Sequence, residues 1–398
     1  MTLRIAIAKP DWGFTGGFEL LTQELSRRLE SAGHEVRWMS PKVADLDPRP
    51  FGLDGANAAR HAPEFFRYVQ LIDRFRALDL HRADLVISAQ PPSYSVDHPR
   101  HLALFSHHLR CYYDLSDVMV EAGLVGDVDV HRHAEQLVRT IDARYLNDVP
   151  LILATSEEVQ QRLDRYNGLR HTVGVFHAGL GFRDAFPDPS GDDAYEHVLC
   201  VSRHEFPKRT ELFVAAMNLI RDAPAISVGQ GGRLGYVMQL DRRFAASPDD
   251  AQGDSRPFWC TDAPWIDPTQ STGEPGAVQF TGFVEAAELD RLYRRAVCVV
   301  APALLEDYGL TAIEAMAYGK PLVVCSDGGN LVNFVEHGVN GLIVEPQGGA
   351  IAAAVQTLVD DRAYAERLGH AAREIAREFT WDRAMHEFEA GLEMVLAA

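Results

Sequence analysis

Three short segments of this 398-residue chain carry charged side chains, two of them together with glycine, where an apolar run gives way to a helical period. The densest reads Glu306-Asp-Tyr308-Gly309-Leu310-Thr311-Ala-Ile-Glu314-Ala-Met-Ala-Tyr-Gly319. Glu306 falls in the loop after the apolar run 298–301, Gly309 permits a tight turn, and Thr311 is placed to cap the helix that carries Glu314. Backbone N–H groups at such a helix start can hold a diphosphate, because unpaired amides and the helix dipole both favour an anion. Glu306 is placed to meet a polar ligand, and Glu314, about one turn into the helix, to accept hydrogen bonds from a diol such as a ribose. An acid in a first helical turn also complements the dipole without any ligand, so for Glu314 taken alone both readings stand.

The second segment is Ser202-Arg203-His-Glu-Phe-Pro-Lys208-Arg209, again after a strand and before a helix. Arg203 and Lys208, five positions apart in one loop, can converge on one anionic group, the guanidinium bidentately; a solvated loop with scattered charges is the other reading. The third is Asp11-Trp-Gly-Phe-Thr-Gly16-Gly17, where consecutive glycines let backbone amides approach an anion or simply serve a turn that needs positive φ. Its spacing lacks the G-x-G-x-x-G dinucleotide fingerprint, which argues against a dehydrogenase.

The elements that must position these loops alternate strand and helix. Apolar runs at 4–8, 35–39, 85–88, 102–106, 151–155 and 172–176, with helical stretches such as 18–32 and 157–166, predict an α/β domain with a parallel sheet over residues 1–186. Pro187-Asp-Pro-Ser-Gly-Asp-Asp193 has the composition of a linker, taken as 187–195. The pattern restarts over 196–378, with strands expected at 197–202, 225–229, 278–281, 298–301, 322–325 and 341–344 and helices at 209–221, 288–294, 311–318 and 350–360. Residues 231–276, rich in Asp, Pro and Ser and carrying Trp259 and Trp265, read as an irregular surface insertion. Residues 379–398 predict an amphipathic helix capped by Thr380, with Trp381, Met385, Phe388, Leu392 and Val395 on its apolar face. Such a face needs a partner. Two parallel-sheet domains facing across a cleft, with ligand at the carboxyl ends of the strands, is the expected architecture.

Composition narrows the function classes. The 57 acidic residues against 38 Lys and Arg leave a net charge of −19, which excludes gripping nucleic acid or an anionic membrane by bulk charge. Five scattered Cys without a C-x-x-C pair encode neither a disulfide framework nor a zinc cluster and fit a reduced cytoplasm. The opening apolar run is broken by Lys9, Pro10 and Asp11, too short for a signal core or a membrane span. A cytoplasmic protein, free to touch a membrane at its surface, is expected.

Glu306, seven residues, then Glu314, followed by Ser326-Asp-Gly-Gly329 and Val335-Glu-His-Gly338-Val-Asn-Gly341, resembles the C-terminal signature of the retaining GT-B nucleotide-sugar glycosyltransferases, glycosyltransferase family 4. Gly16 and Gly17 resemble the family's N-terminal glycine loop, Thr155-Ser156-Glu-Glu-Val159 a strand-to-helix step, Arg203 and Lys208 its Arg…Lys pair, and Phe280-Thr-Gly282-Phe a strand end. The resemblance implies a GT-B fold of two Rossmann-like domains, the N-terminal one taking the acceptor and the C-terminal one the donor. It implies a hexosyltransferase without cofactor or metal, using a UDP-, GDP- or dTDP-sugar and a small-molecule, glycan or lipid-linked acceptor.

By the same resemblance Arg203, Lys208 and the stretch Tyr308, Gly309, Leu310 and Thr311 would hold the donor diphosphate, with Gly16 and Gly17 closing on it. Glu314 would bind the ribose, Glu306 the transferred sugar, and the backbone of Gly282 and Val284 would face the base. A donor-contacting histidine should lie within residues 105–110; the resemblance does not choose between His107 and His108. Asn333 stands where the family often has a Glu. That departure leaves open a silent nucleotide-sugar-binding subunit, and the fold leaves open an epimerase.

Overall fold

A computed structural model describes residues 2–13, 16–169, 173–180, 187, 195–220, 223–270 and 274–397. The chain divides into two compact units, Met1–Gly181 with Thr380–Ala398, and Phe182–Phe379. These divisions fall at 181/182 and 379/380, against 186/187 and 378/379 expected from composition. Within the expected linker 187–195, residues 188–194 lie outside the described residues. So do Phe14 and Thr15 of the glycine loop, and Thr172 and Arg221 at the ends of expected elements.

In the first unit β1 (Arg4–Ala8), β2 (Glu35–Met39), β3 (Leu85–Ala89), β4 (His101–Phe105), β5 (Leu151–Ala154) and β6 (Val173–Val175) form an all-parallel sheet of order β2-β1-β3-β4-β5-β6. Every residue of β3, β4 and β5 is buried, as continuous apolar strands covered by helices on both faces must be. The chain order reverses between β1 and β3, so their carboxyl ends flank the crevice where doubly wound sheets take ligands. The last helix, Trp381–Ala397, packs on β4 and β5 of this same unit. Thr380 caps it, its Oγ1 accepting from the Arg383 N–H at 3.2 Å. Gly391 lets it sit close, since a Cβ there would lie 3.1 Å from Leu151 Cδ2. Phe388 and Trp381 meet Phe176 at ring distances of 6.3 Å.

The second unit repeats the scheme with β7 (His197–Val201), β8 (Ala225–Val228), β9 (Val278–Gly282), β10 (Ala296–Ala301), β11 (Leu322–Cys325) and β12 (Gly341–Val344), all parallel, in the order β12-β11-β10-β7-β8-β9. Here the order reverses between β7 and β10. Residues 231–276 correct the expectation of an irregular insertion. They contain a 13-residue helix, Leu234–Ala246, burying Val237, Leu240 and Phe244 at three- and four-residue steps, and two short helices, Pro248–Gln252 and Arg256–Trp259. The long helix is the crossover that a parallel β8–β9 pair requires. Buried Asp241 ties its far side down, accepting from the Ala277 N–H at 3.0 Å and from Asn218 Nδ2 at 2.8 Å. Among the described residues no helix is long and apolar enough to cross a membrane.

Candidate functional site

The loops leaving β7 and β10 are locked together by one buried side chain. After a short turn, Phe206–Lys208, Arg209 takes a left-handed φ of +49° and drives its guanidinium into the interior, fully buried. There Nε donates to the Pro302 carbonyl at 2.8 Å, the terminal nitrogens donate to both Asp327 oxygens at 2.7 and 2.5 Å, and the group lies 5.0 Å from the Trp259 ring. A buried guanidinium satisfied on every side costs little and fixes both loops.

With those loops fixed, the Lys208 ammonium forms an ion pair with the Glu306 carboxylate, the side chains 22% and 15% exposed. The pair spans the β7/β10 crevice. Arg203 stands on the same loop, exposed, with no side-chain partner among the described residues. His204 turns inward instead; burial lowers its imidazole to about 4, so it adds no positive charge.

Glu306 owes its place to its backbone. Its N–H donates to the Gly328 carbonyl at 3.0 Å and its carbonyl accepts from Asn330 at 2.9 Å, extending the β10–β11 pairing beyond the sheet. Asn330 Nδ2 donates to the Tyr308 carbonyl at 2.8 Å, and Tyr308 is itself buried. Gly309 follows at φ +93°, with Leu331 and Phe334 occupying the space a Cβ would need. The helix Leu310–Ala317 begins directly after it, which corrects the expectation that Thr311 is its cap: Thr311 is the second helical residue, and no side chain caps that start. The glycine conformation makes the turn that a capping side chain would otherwise make. Glu314, one turn on, is partly exposed and accepts from the Tyr293 hydroxyl at 3.0 Å. Burial pushes its carboxyl up to about 7, with the tyrosine bond pulling the other way.

At the neighbouring strand ends, Gly282 closes β9 at φ +68°, its carbonyl accepting from the Gly229 N–H at 2.9 Å; Phe283 beside it is exposed and Val284 partly so. Thus Lys208, Glu306, Tyr308 to Glu314, Arg203 and Gly282 all lie at the carboxyl edge of one sheet. Of the two tryptophans, Trp259 is buried between Arg209 and Arg256 and packs the loop, while Trp265 is 74% exposed. Asn333 is exposed and donates to Asn330 Oδ1 at 3.0 Å.

The other candidates belong to the first unit. Gly16 and Gly17 stand at the start of the helix Gly17–Ser31, where Glu19 accepts from the Gly16 N–H at 3.0 Å. The same carboxylate binds buried Lys9 at 2.9 Å and Gln90 Nε2 at 3.1 Å, joining the ends of β1 and β3. Burial opposes ionisation of Glu19, yet Lys9 and the backbone bonds hold its carboxyl below the ordinary value. Sequence reasoning missed this trio; the glutamate three residues after Gly16 was the available signal.

The two histidines separate. His108 is buried against Tyr113 at 4.2 Å and Phe105 at 4.9 Å, bonds Asn167 through Nε2 at 2.8 Å, and is lowered to about 4 by burial. Its Nδ1 is buried with no hydrogen-bond partner among the described residues, and the aromatic rings around it leave almost none of the side chain exposed. His107 is half-buried, and its Nδ1–H donates to the His108 carbonyl at 2.6 Å, which leaves Nε2 as an acceptor.

The family model described as Glycosyltransferase Family 4 matches residues 15–180, and the one described as Glycosyl transferases group 1 matches residues 264–375, which include Glu306 and Glu314. An uncharacterized glycosyltransferase of Methanocaldococcus jannaschii is 36% identical over 30% of this chain and 32% of its own length. A D-inositol 3-phosphate glycosyltransferase of Salinispora arenicola is 28% identical over 59% of this chain and 52% of its own. The chain thus spans about half or less of the curated relatives it matches. Among solved structures, sucrose-phosphate synthase from Thermosynechococcus elongatus superposes with a TM-score of 0.70 at 20% identity, covering 99% of this chain and 100% of that one. Anabaena HepE, in complex with UDP and glucose, does so at 0.65 and 18% identity, covering 98% and 99%. At these identities the superpositions speak for the fold, and with the two family matches they place the chain among the GT-B glycosyltransferases of family 4.

Proposed function

We propose that this chain transfers a hexosyl unit from a nucleoside diphosphate sugar to an acceptor hydroxyl, with retention of configuration and without a divalent metal. The observation that carries the reading is the meeting of Lys208 with Glu306 across the β7/β10 crevice, beside the uncapped helix start after Gly309. In this reading Lys208, Arg203 and the amides of Leu310 and Thr311 hold the diphosphate, Glu314 the ribose, and Glu306 a hydroxyl of the sugar. The UDP bound by Anabaena HepE, of the same fold, supports a nucleotide donor. The first unit takes the acceptor, and His107 Nε2 accepts from a sugar hydroxyl.

The bond from C1 to the leaving phosphate oxygen breaks as the acceptor oxygen bonds C1 on the same face, and the acceptor proton passes to that leaving oxygen. Fixed cations and amides stabilise the charge that grows on the diphosphate, so no protein nucleophile and no metal is needed. Incubation with UDP-, GDP- and dTDP-hexoses in EDTA should give slow donor hydrolysis with one of them. Turnover that stops on chelation and returns with Mg²⁺ would refute the metal-free assignment; a changed sugar without nucleotide release would replace transfer by epimerisation.

A further inference from the structure

The Lys208–Glu306 pair joins two groups that, on the reading above, serve different parts of one donor: the ammonium its diphosphate and the carboxylate its sugar. We propose that Glu306 competes with the spent nucleoside diphosphate for Lys208, so that the site releases product by reclaiming its own cation. The inference rests on the glycosyl-transfer reading. While donor is bound, a sugar hydroxyl occupies the carboxylate and Lys208 can turn to phosphate. Transfer removes that hydroxyl with the sugar. It also turns the terminal phosphate from a diester into a monoester, whose second ionisation near pH 6 adds up to one further negative charge at neutral pH. The carboxylate then faces a more anionic ligand with its hydroxyl partner gone, and Lys208 lies within its reach.

Two features make the pair suited to this exchange. Both side chains keep part of their surface exposed, 22% for Lys208 and 15% for Glu306, so the pair can open without burying a bare charge. The loops beneath do not move with it: Arg209 is locked to Asp327, and the Glu306 backbone is held by Gly328 and Asn330 whatever its side chain does. Arg203 has no competing carboxylate among the described residues, so of the two phosphate-seeking cations Lys208 is the one that a carboxylate can take back.

Calorimetric titration with UDP, GDP and dTDP tests the exchange on the full chain, on Glu306→Gln and Glu306→Ala, on Lys208→Ala, and on Lys208→Ala with Glu306→Gln. Both Glu306 variants should fold, since the backbone carries the pairing, and thermal melting checks it. The nucleoside diphosphate that the natural chain binds should bind about two- to fivefold tighter to Glu306→Gln, the scale of a partly exposed ion pair removed as competitor. That gain should disappear in the Lys208→Ala background. Unchanged or weaker binding in both folded Glu306 variants would overturn the proposal while leaving the transferase reading intact. A gain that persists without Lys208 would assign the effect to direct repulsion and overturn the competition. If the natural chain binds none of the three nucleotides, the donor-site reading and this inference fall together.

Discussion

On the proposed reading Glu314 meets the ribose, so its own ionisation becomes a reporter of ligand binding. Its folded value, about 7, stands above the ordinary 4.5. Between those limits the folded chain therefore keeps a proton that the unfolded chain has lost. The contribution to stability is complete below about pH 4.5 and falls as the pH rises through the window. Replacing the carboxyl with an amide removes this titration, so the melting temperature of Glu314→Gln should change less between pH 4.5 and 7 than that of the natural chain. A ribose diol donates hydrogen bonds, which an ionised carboxylate accepts best, so nucleotide affinity of the natural chain should rise through neutrality. In Glu314→Gln that affinity should change less with pH, keeping only the part due to the phosphate's own ionisation, and be weaker by about 1 to 3 kcal/mol, the cost of losing a charged acceptor. Titrations at pH 6 and 8 on both proteins check it; equal affinity and equal pH dependence would remove Glu314 from the site.

Among elements, the turn at Gly309 sets where the helix carrying Glu314 begins. An alanine there must hold φ near +93° and would bring its Cβ to 2.7 Å from Leu331 Cδ2 and 3.2 Å from Phe334. Left-handed strain and the clash together should cost about 1 to 3 kcal/mol, read as a lower urea midpoint, and nucleotide affinity should fall with it as the helix start shifts. This turn was legible in the sequence, as were the strands, because apolar runs ending in Gly-rich loops are local signals. The helix Leu234–Ala246 was not, because Asp, Pro and Ser in the residues after it dominate the composition of residues 231–276 and mask its three- and four-residue steps. Arg203, Lys208 and Glu306 were each visible after a strand, but their grouping was not. Lys208 and Glu306 lie 98 residues apart and meet only because β10 returns to pair with β7, and spacing carries no information on strand order. The roles of His107 and His108 were undecidable for a related reason. Adjacent residues point apart, and only the packed position of Tyr113 tells which one is enclosed.

At the scale of the whole molecule, the two units differ in what should hold them together under stress. The groups proposed to hold the nucleotide all lie in the unit Phe182–Phe379, whereas the unit Met1–Gly181 depends on a helix supplied from the far end of the chain. That helix covers β4 and β5, and His177 strengthens its seat, bonding Glu387 through Nδ1 at 2.9 Å and Glu157 through Nε2 at 2.9 Å. Two units with separate cores should unfold in separable steps. Ligand that binds one folded unit raises that step by mass action, about 2.7 kcal/mol at a hundredfold excess over Kd. Scanning calorimetry should then resolve two transitions, with nucleotide raising one and leaving the other in place. Ending the chain after Phe379 should lower the transition that nucleotide does not move, because Leu151, Leu153 and Phe176 lose the cover of Phe388, Gly391 and Trp381. A single transition raised as a whole by nucleotide would show that the units unfold as one and would refute this assignment of stability to parts of the chain.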